Sequence, residues 1–168
     1  MDEKINSFPP VVPRDPKVLI LGSIPGGMSL EKQEYYGNPR NHFWSDLYEL
    51  FDQNPLDEYE QRIAFVKQHG IALWDSIGKC YREGSLDSNI WEEEPNDIVG
   101  LLKEHPTITL IACNGGKSYQ TFKRNFPADE LEGVDVVKMP STSPIPGKYT
   151  KSFAGKVEAW SKILQVTT

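Results

Sequence analysis

The chain has 168 residues, 38% hydrophobic and 25% charged, which suits one compact domain with a core of its own and no need of covalent staples. Its net charge of −6 excludes a strongly basic nucleic-acid binder, though not a local basic rim. Cys80 and Cys113 are far apart and lack CxxC spacing, which argues against a zinc site, an iron–sulfur cluster or a disulfide framework. No apolar stretch is long enough to span a membrane, and the polar start MDEKINSF is no signal peptide, so a cytoplasmic monomer is expected.

Residues 1–16 carry Pro9, Pro10, Pro13 and Pro16 and read as a surface-hugging lead-in to a single domain spanning 1–168. The apolar run Val18-Leu19-Ile20-Leu21, closed by Gly22, predicts a strand over 17–22 buried on both faces. Gly22-Ser23-Ile24-Pro25-Gly26-Gly27 then forms a loop in which glycines permit close approach of a ligand. Trp44, Leu47, Tyr48 and Phe51 follow helical spacing and predict a helix over 42–51, with Asn41 placed to cap it. A second helix over 57–69 ends at Gly70. Ile71-Ala72-Leu73-Trp74 predicts a second buried strand ending at Asp75, and 78–91 reads as irregular.

Pro95 or Asn96 starts a helix carrying Ile98, Leu101 and Leu102, stopped by His105-Pro106. TITLIAC, 107–113, predicts a third strand, followed by the turn Asn114-Gly115-Gly116 and a helix with Tyr119, Phe122 and Phe126 on one face. Residues 134–139 form the fourth strand. A long turn-rich loop, PSTSPIPGKYTKS, and a final helix with Val157, Trp160, Ile163 and Leu164 close the chain. Strands alternating with helical patterns predict a three-layer α/β/α sandwich around a four-stranded, mostly parallel sheet.

The loop of 22–27 does not match GxGxxG, and Ile111 stands where a P-loop ending at Lys117-Ser118 would need glycine, which argues against nucleotide-triphosphate and dinucleotide chemistry. His42, His69 and His105 lie on separate elements, two of them at predicted helix ends. Lys138, Lys148, Lys151 and Lys156 surround the Ser/Pro-rich loop and form a candidate basic rim.

Gly22-Ser23-Ile24-Pro25-Gly26, then Tyr35-Tyr36-Gly37-Asn38-Pro39-Arg40-Asn41-His42-Phe43-Trp44, the GIALWD strand, GSLDSNI and Met139-Pro140-Ser141-Thr142-Ser143-Pro144 together resemble the uracil-DNA glycosylase superfamily. The match is with its hypoxanthine-DNA (deoxyinosine) glycosylase branch and covers about 18 to 150. The resemblance implies the same α/β/α fold and an enzyme that flips a deaminated base, hypoxanthine first, out of damaged DNA. It would hydrolyse the N-glycosidic bond and leave an abasic site, with no metal or cofactor and no lyase step. The third residue of the first motif, elsewhere a water-positioning Asp or Asn, is Ile24 here, and the resemblance places the catalytic amide at Asn41.

The resemblance implies a base pocket built from Gly22, Ser23, Ile24, Pro25 and Gly26, with Phe43 stacking on the base. Asp75, at a position where relatives read the base with Asn, could accept from a purine N–H or donate if protonated, and Asn114 ends the third strand. It implies DNA contacts from Ser141, Thr142 and Ser143, a wedge at Ile145 or Tyr149, and charge from Lys148 and Lys151. Each residue also has a plain structural reading. Asn41 is a helix cap, Phe43 packs the core, Tyr35 and Tyr36 wall the pocket or fill the loop, and Asp75 and Asn114 are turn residues. Met139 replaces the leaving-group histidine of the fast uracil enzymes. A uracil or mismatch glycosylase, a non-catalytic DNA- or nucleotide-binding domain and a nucleoside hydrolase are the alternatives.

Overall fold

The computed structural model describes residues 3–84, 86–127, 129, 131–143 and 153–164. In chain order the elements are β1 (Glu3–Asn6), β2 (Val18–Gly22), α1 (Gly27–Lys32), α2 (Phe43–Leu50), α3 (Tyr59–Gln68), β3 (Ile71–Asp75), β4 (Ile77–Arg82), β5 (Ile90–Pro95), α4 (Ile98–Glu104), β6 (Leu110–Asn114), α5 (Gly116–Asn125), β7 (Asp135–Met139) and α6 (Phe153–Trp160). Every residue of β2 is buried. Alternate side chains of a strand point to opposite faces. Val18 and Ile20 accordingly enter one core and Leu19 and Leu21 the other. The unbroken apolar run is thus the signature of a strand covered on both sides.

On the first face, α2, α3 and α6 bring Phe43, Trp44, Leu47, Phe65, Val66 and Trp160 against the sheet. On the second, α4 and α5 contribute Ile98, Leu101, Leu102 and Phe122. The sheet is fully parallel, in the order β3-β2-β6-β7. The three layers and the four strands match the expectation from sequence.

The register carries the site. Gly22 pairs with Asp75, Leu21 with Cys113, and Asn114 with Met139, so the four strand ends finish along one edge. The chain steps from β2 to β3 on one side and returns to β6 on the other. A crevice opens beyond the carboxyl ends of strands at such a reversal.

Two regions differ from the sequence reading. The stretch 78–91 is not irregular: it includes most of β4 and the start of β5, which join β1 in a three-stranded antiparallel sheet. The lead-in also does more than lie on the surface. Val11 exchanges backbone hydrogen bonds with Leu73 at 2.8 and 2.9 Å, and Trp74 Nε1 donates to the Phe8 carbonyl at 3.1 Å. These contacts cover the outer edge of β3, which would otherwise present unpaired backbone groups. No helix among the described residues is long and apolar enough to cross a membrane.

Candidate active site

A cavity of about 410 Å³ opens above the ends of β2, β3 and β6. Its floor is the loop that leaves β2: Gly22, Ser23, Ile24, Pro25 and Gly26 all line it. That loop is fixed from below. The Gly22 and Ser23 carbonyls accept from Ser76 and Ile77 N–H at 2.8 and 3.0 Å, and Ser118 Oγ donates to the Leu21 carbonyl at 2.8 Å. The Pro25 carbonyl accepts from Arg82 Nη2 at 2.9 Å, while Arg82 Nε donates to the Gly84 carbonyl at 2.7 Å. Buried Arg82 therefore ties the motif loop to the end of β4. Ile24 is also buried, packed with Ile5, Ile77 and Cys80, and brings no polar atom to the wall.

Asp75 is the charged side chain on this wall among the described residues. It lies so close to β2 that a Cβ at residue 22 would stand 2.5 Å from its Oδ1. Glycine at 22 is what admits the carboxylate. Its charge is felt by both neighbouring phenols. Burial pushes the Tyr35 and Tyr36 hydroxyls well above the usual tyrosine range, and the Asp75 carboxylate raises them further.

Tyr36, not Phe43, presents a ring to the cavity. Phe43 is 1% exposed and does not line the cavity; it lies under Tyr36, with ring centroids 3.7 Å apart and planes at 20°. Phe43, first residue of α2, is placed in the core, so Tyr36 stands between it and the cavity lining. Tyr36 holds φ at +55°, a left-handed conformation that costs a side-chain-bearing residue about 1 kcal/mol or more and that clusters at functional sites.

Asn41 faces the same cavity, just ahead of α2. Its Oδ1 accepts from Phe43 N–H at 2.9 Å, and its own N–H donates to the Asn38 carbonyl at 2.9 Å. The expected cap is not formed as such: the N-cap position is His42, without a side-chain cap, and Asn41 one residue ahead closes a turn onto Phe43 instead. A carboxamide oxygen has two lone pairs, and that turn bond uses one.

Ser141, Thr142 and Ser143 also line the cavity, as a second wall. Asn114 clamps this wall to β6 with both ends of its amide. Nδ2 donates to Thr142 Oγ1 at 2.9 Å, and Oδ1 accepts from Thr142 N–H at 2.9 Å. The Thr142 carbonyl in turn accepts from His42 N–H at 2.9 Å. Thr142 is buried, so it braces the wall rather than offering a hydroxyl to phosphate; Ser141 is exposed. Gly115, at φ +96°, lets Ser141 pass, since a Cβ there would stand 3.2 Å from the Ser141 Cβ. Met139 is buried in the first core and does not line the cavity. Ile145, Lys148, Tyr149 and Lys151, the expected wedge and charge, lie outside the described residues.

Sequence reading missed several parts. Phe8, Met28, Leu86 and Ser88 also line the cavity; Met28 is 40% and Leu86 44% exposed. Lys156 is no part of a rim: it is buried, beside buried Asp46. Its signal was the spacing from Trp160, four residues on. Among the described residues no group of three or more His, Cys, Asp or Glu could hold a metal ion.

Residues 9–164 match the model of the uracil DNA glycosylase superfamily. A hypoxanthine DNA glycosylase from Methanosarcina acetivorans is 37% identical over 155 residues, covering 90% of this chain and 94% of its own. A hypoxanthine DNA glycosylase from Methanosarcina barkeri is 38% identical over 116 residues, covering 68% of this chain and 73% of its own. A solution NMR structure from Methanosarcina acetivorans, provisionally named a uracil DNA glycosylase, superposes with a TM-score of 0.81 at 34% identity, over 97% of this chain and 99% of that one.

Proposed function

Since the chain belongs to the uracil DNA glycosylase superfamily and is a DNA glycosylase, we propose that the base it excises is hypoxanthine and that Asn41 is its catalytic residue. The observation that carries this reading is that Asn41, Asp75 and Tyr36 line one cavity. An enzyme acting on a base must take it out of the duplex and hold it. Tyr36, backed by Phe43, offers a platform on which the flipped base stacks.

Asp75 supplies the selection. An ionised carboxylate accepts hydrogen bonds and cannot donate. Hypoxanthine carries a proton on N1 and meets it; adenine has a lone pair on N1 and is repelled. Undamaged adenine is thus rejected by the group that accepts its deaminated form. Uracil also carries a ring N–H, so Asp75 alone does not exclude it. The names of the two curated relatives favour hypoxanthine.

In the reaction the bond between C1′ and the base breaks and its electron pair leaves with the base. Positive charge develops on the sugar. The second lone pair of Asn41 Oδ1 accepts from a water and aims its oxygen at C1′. An amide takes no proton at neutral pH, so the proton of that water ends on the departing base. With Ile24 adding nothing polar, the rate rests on how well the leaving base is stabilised. A slow, monofunctional glycosylase follows.

The test is strand cleavage by hot alkali after incubation with duplexes carrying one deoxyinosine, one deoxyuridine, one deoxyxanthosine or none. Deoxyinosine is expected to be processed first and the unmodified duplex left intact. Asp75→Asn, whose amide can donate to adenine N1, should narrow the gap between inosine and adenine. Uracil processed well ahead of inosine would keep the class and overturn the substrate.

A further inference from the structure

Helix α6 grips the outer wall of the cavity at two points. Lys156 and Trp160 stand four residues apart, on one face of the helix. Trp160 Nε1 donates to the Pro140 carbonyl at 3.1 Å, and Lys156 Nζ donates to the Ser143 carbonyl at 3.4 Å. The same ammonium lies 3.3 Å from His42 Nδ1. His42 directly follows Asn41, and its N–H is bonded to Thr142. Lys156 is 1% exposed and does not line the cavity, so it cannot reach a bound base or sugar. Burying an ammonium is costly unless its contacts compensate.

We propose that Lys156 is a positioning residue for base excision: its ammonium, shared between His42 and the Ser143 carbonyl, holds the Asn41 loop and the 140–143 wall at the separation the reaction needs. The inference rests on reading the cavity as a glycosylase site.

Among the described residues, the titratable groups that face Lys156 are Asp46 and His42, from α2 and the residue before it. Neither Asp46 oxygen has a hydrogen-bond partner among the described residues. Burial pushes Asp46 up to about 7, and the Lys156 charge pulls it back. Burial lowers Lys156, and Asp46 raises it. His42 is lowered, by burial first and by Lys156 second. A neutral His42 with its proton on Nε2 is what lets Nδ1 accept. The brace therefore needs neutral His42 and charged Lys156. It fails on the acid side when His42 protonates and on the alkaline side when Lys156 loses its proton. Asp46 extends the alkaline side by holding the charge on Lys156.

The test uses the full chain and a duplex carrying one deoxyinosine, with excision followed under single-turnover conditions. Lys156→Met is expected to lose roughly 10- to 100-fold in rate, the scale of a displacement of about 1 Å, with duplex affinity changed less than about threefold. Replacing a buried charge by an apolar side chain of similar volume is often neutral for folding. The double variant Lys156→Met/Asp46→Asn, which removes both charges, keeps the test valid if the single variant is unstable. Asp46→Asn should move the alkaline limb of the rate profile to lower pH. Ionisation of the substrate is common to both proteins and drops out of that comparison. Lys156→Met with wild-type rate and wild-type pH profile would overturn the inference alone. So would a borohydride-trapped adduct on Lys156, which would make it a nucleophile. A wild-type chain that releases no base would overturn the glycosylase reading and this inference together.

Discussion

At residue 22 a single methyl group separates a working wall from a blocked one. The Asp75 carboxylate occupies the space a side chain would need. Gly22→Ala is expected to cost about 1–3 kcal/mol, the range for overpacking. It should also turn Asp75 out of line and reduce inosine excision more than tenfold. Thermal melting and single-turnover rates check the two effects separately; an unchanged rate would remove Asp75 from base selection. Asp46 makes a second prediction. Its acid is raised from 3.8 to about 7 in the fold, so the folded state favours the protonated form. That contribution is fully present below 3.8 and is lost as pH rises through 7. Asp46→Asn carries no such loss. Its melting temperature relative to wild type should therefore rise between pH 4 and pH 8, and a constant difference would contradict a buried, titrating Asp46.

At the scale of elements, Arg82 joins two loops that the sequence leaves unconnected. It is buried and donates to the Pro25 and Gly84 carbonyls. Arg82→Ala leaves those carbonyls without that donor and should cost about 2–3 kcal/mol in a denaturant titration. Glu93 is half-buried and pairs with both Lys117 and Arg124. Glu93→Gln should cost about 1–3 kcal/mol, above the range of exposed pairs.

The same region shows why sequence reading failed in one sheet and succeeded in the other. Strands β2, β3 and β6 are apolar up to their last residue because both faces are covered, and an apolar run is visible without knowing its partners. Strand β5 reads IWEEEP, half of it acidic and most of it exposed. Its pairing with β4 shifts register between Ile77 and Lys79 and again between Lys79 and Tyr81, which erases the period of two. In the site, the motif loops were legible because their residues are local in sequence. The burial of Phe43 was not legible, because it depends on α2 and on the ring of Tyr36 stacked on it. Lys156 was read as solvated because nothing local shows that α6 buries it.

At the scale of the molecule, a chain of net charge −6 must bind a polyanion. Arg40 and Lys138 are exposed near the two motif loops in sequence. Binding should rest on few phosphates, with a slope of log K against log salt nearer about −2 than −6, as each neutralised phosphate contributes about −0.9. A steep slope would point to a basic surface that the described residues do not form. All three scales converge on the cavity that Asn41, Asp75 and the braced 141–143 segment line, and on the proposal that Asn41 acts there. The measurement to make first is chromatographic detection of free hypoxanthine from a deoxyinosine duplex, in single turnover, for wild type and Asn41→Ala. Wild type should release the base and Asn41→Ala should be slower by about 100-fold, the scale of misplacing the attacking water by about 1 Å, while still binding the duplex. Equal release by both proteins would show that Asn41 only closes the turn onto Phe43 and that the chemistry lies elsewhere.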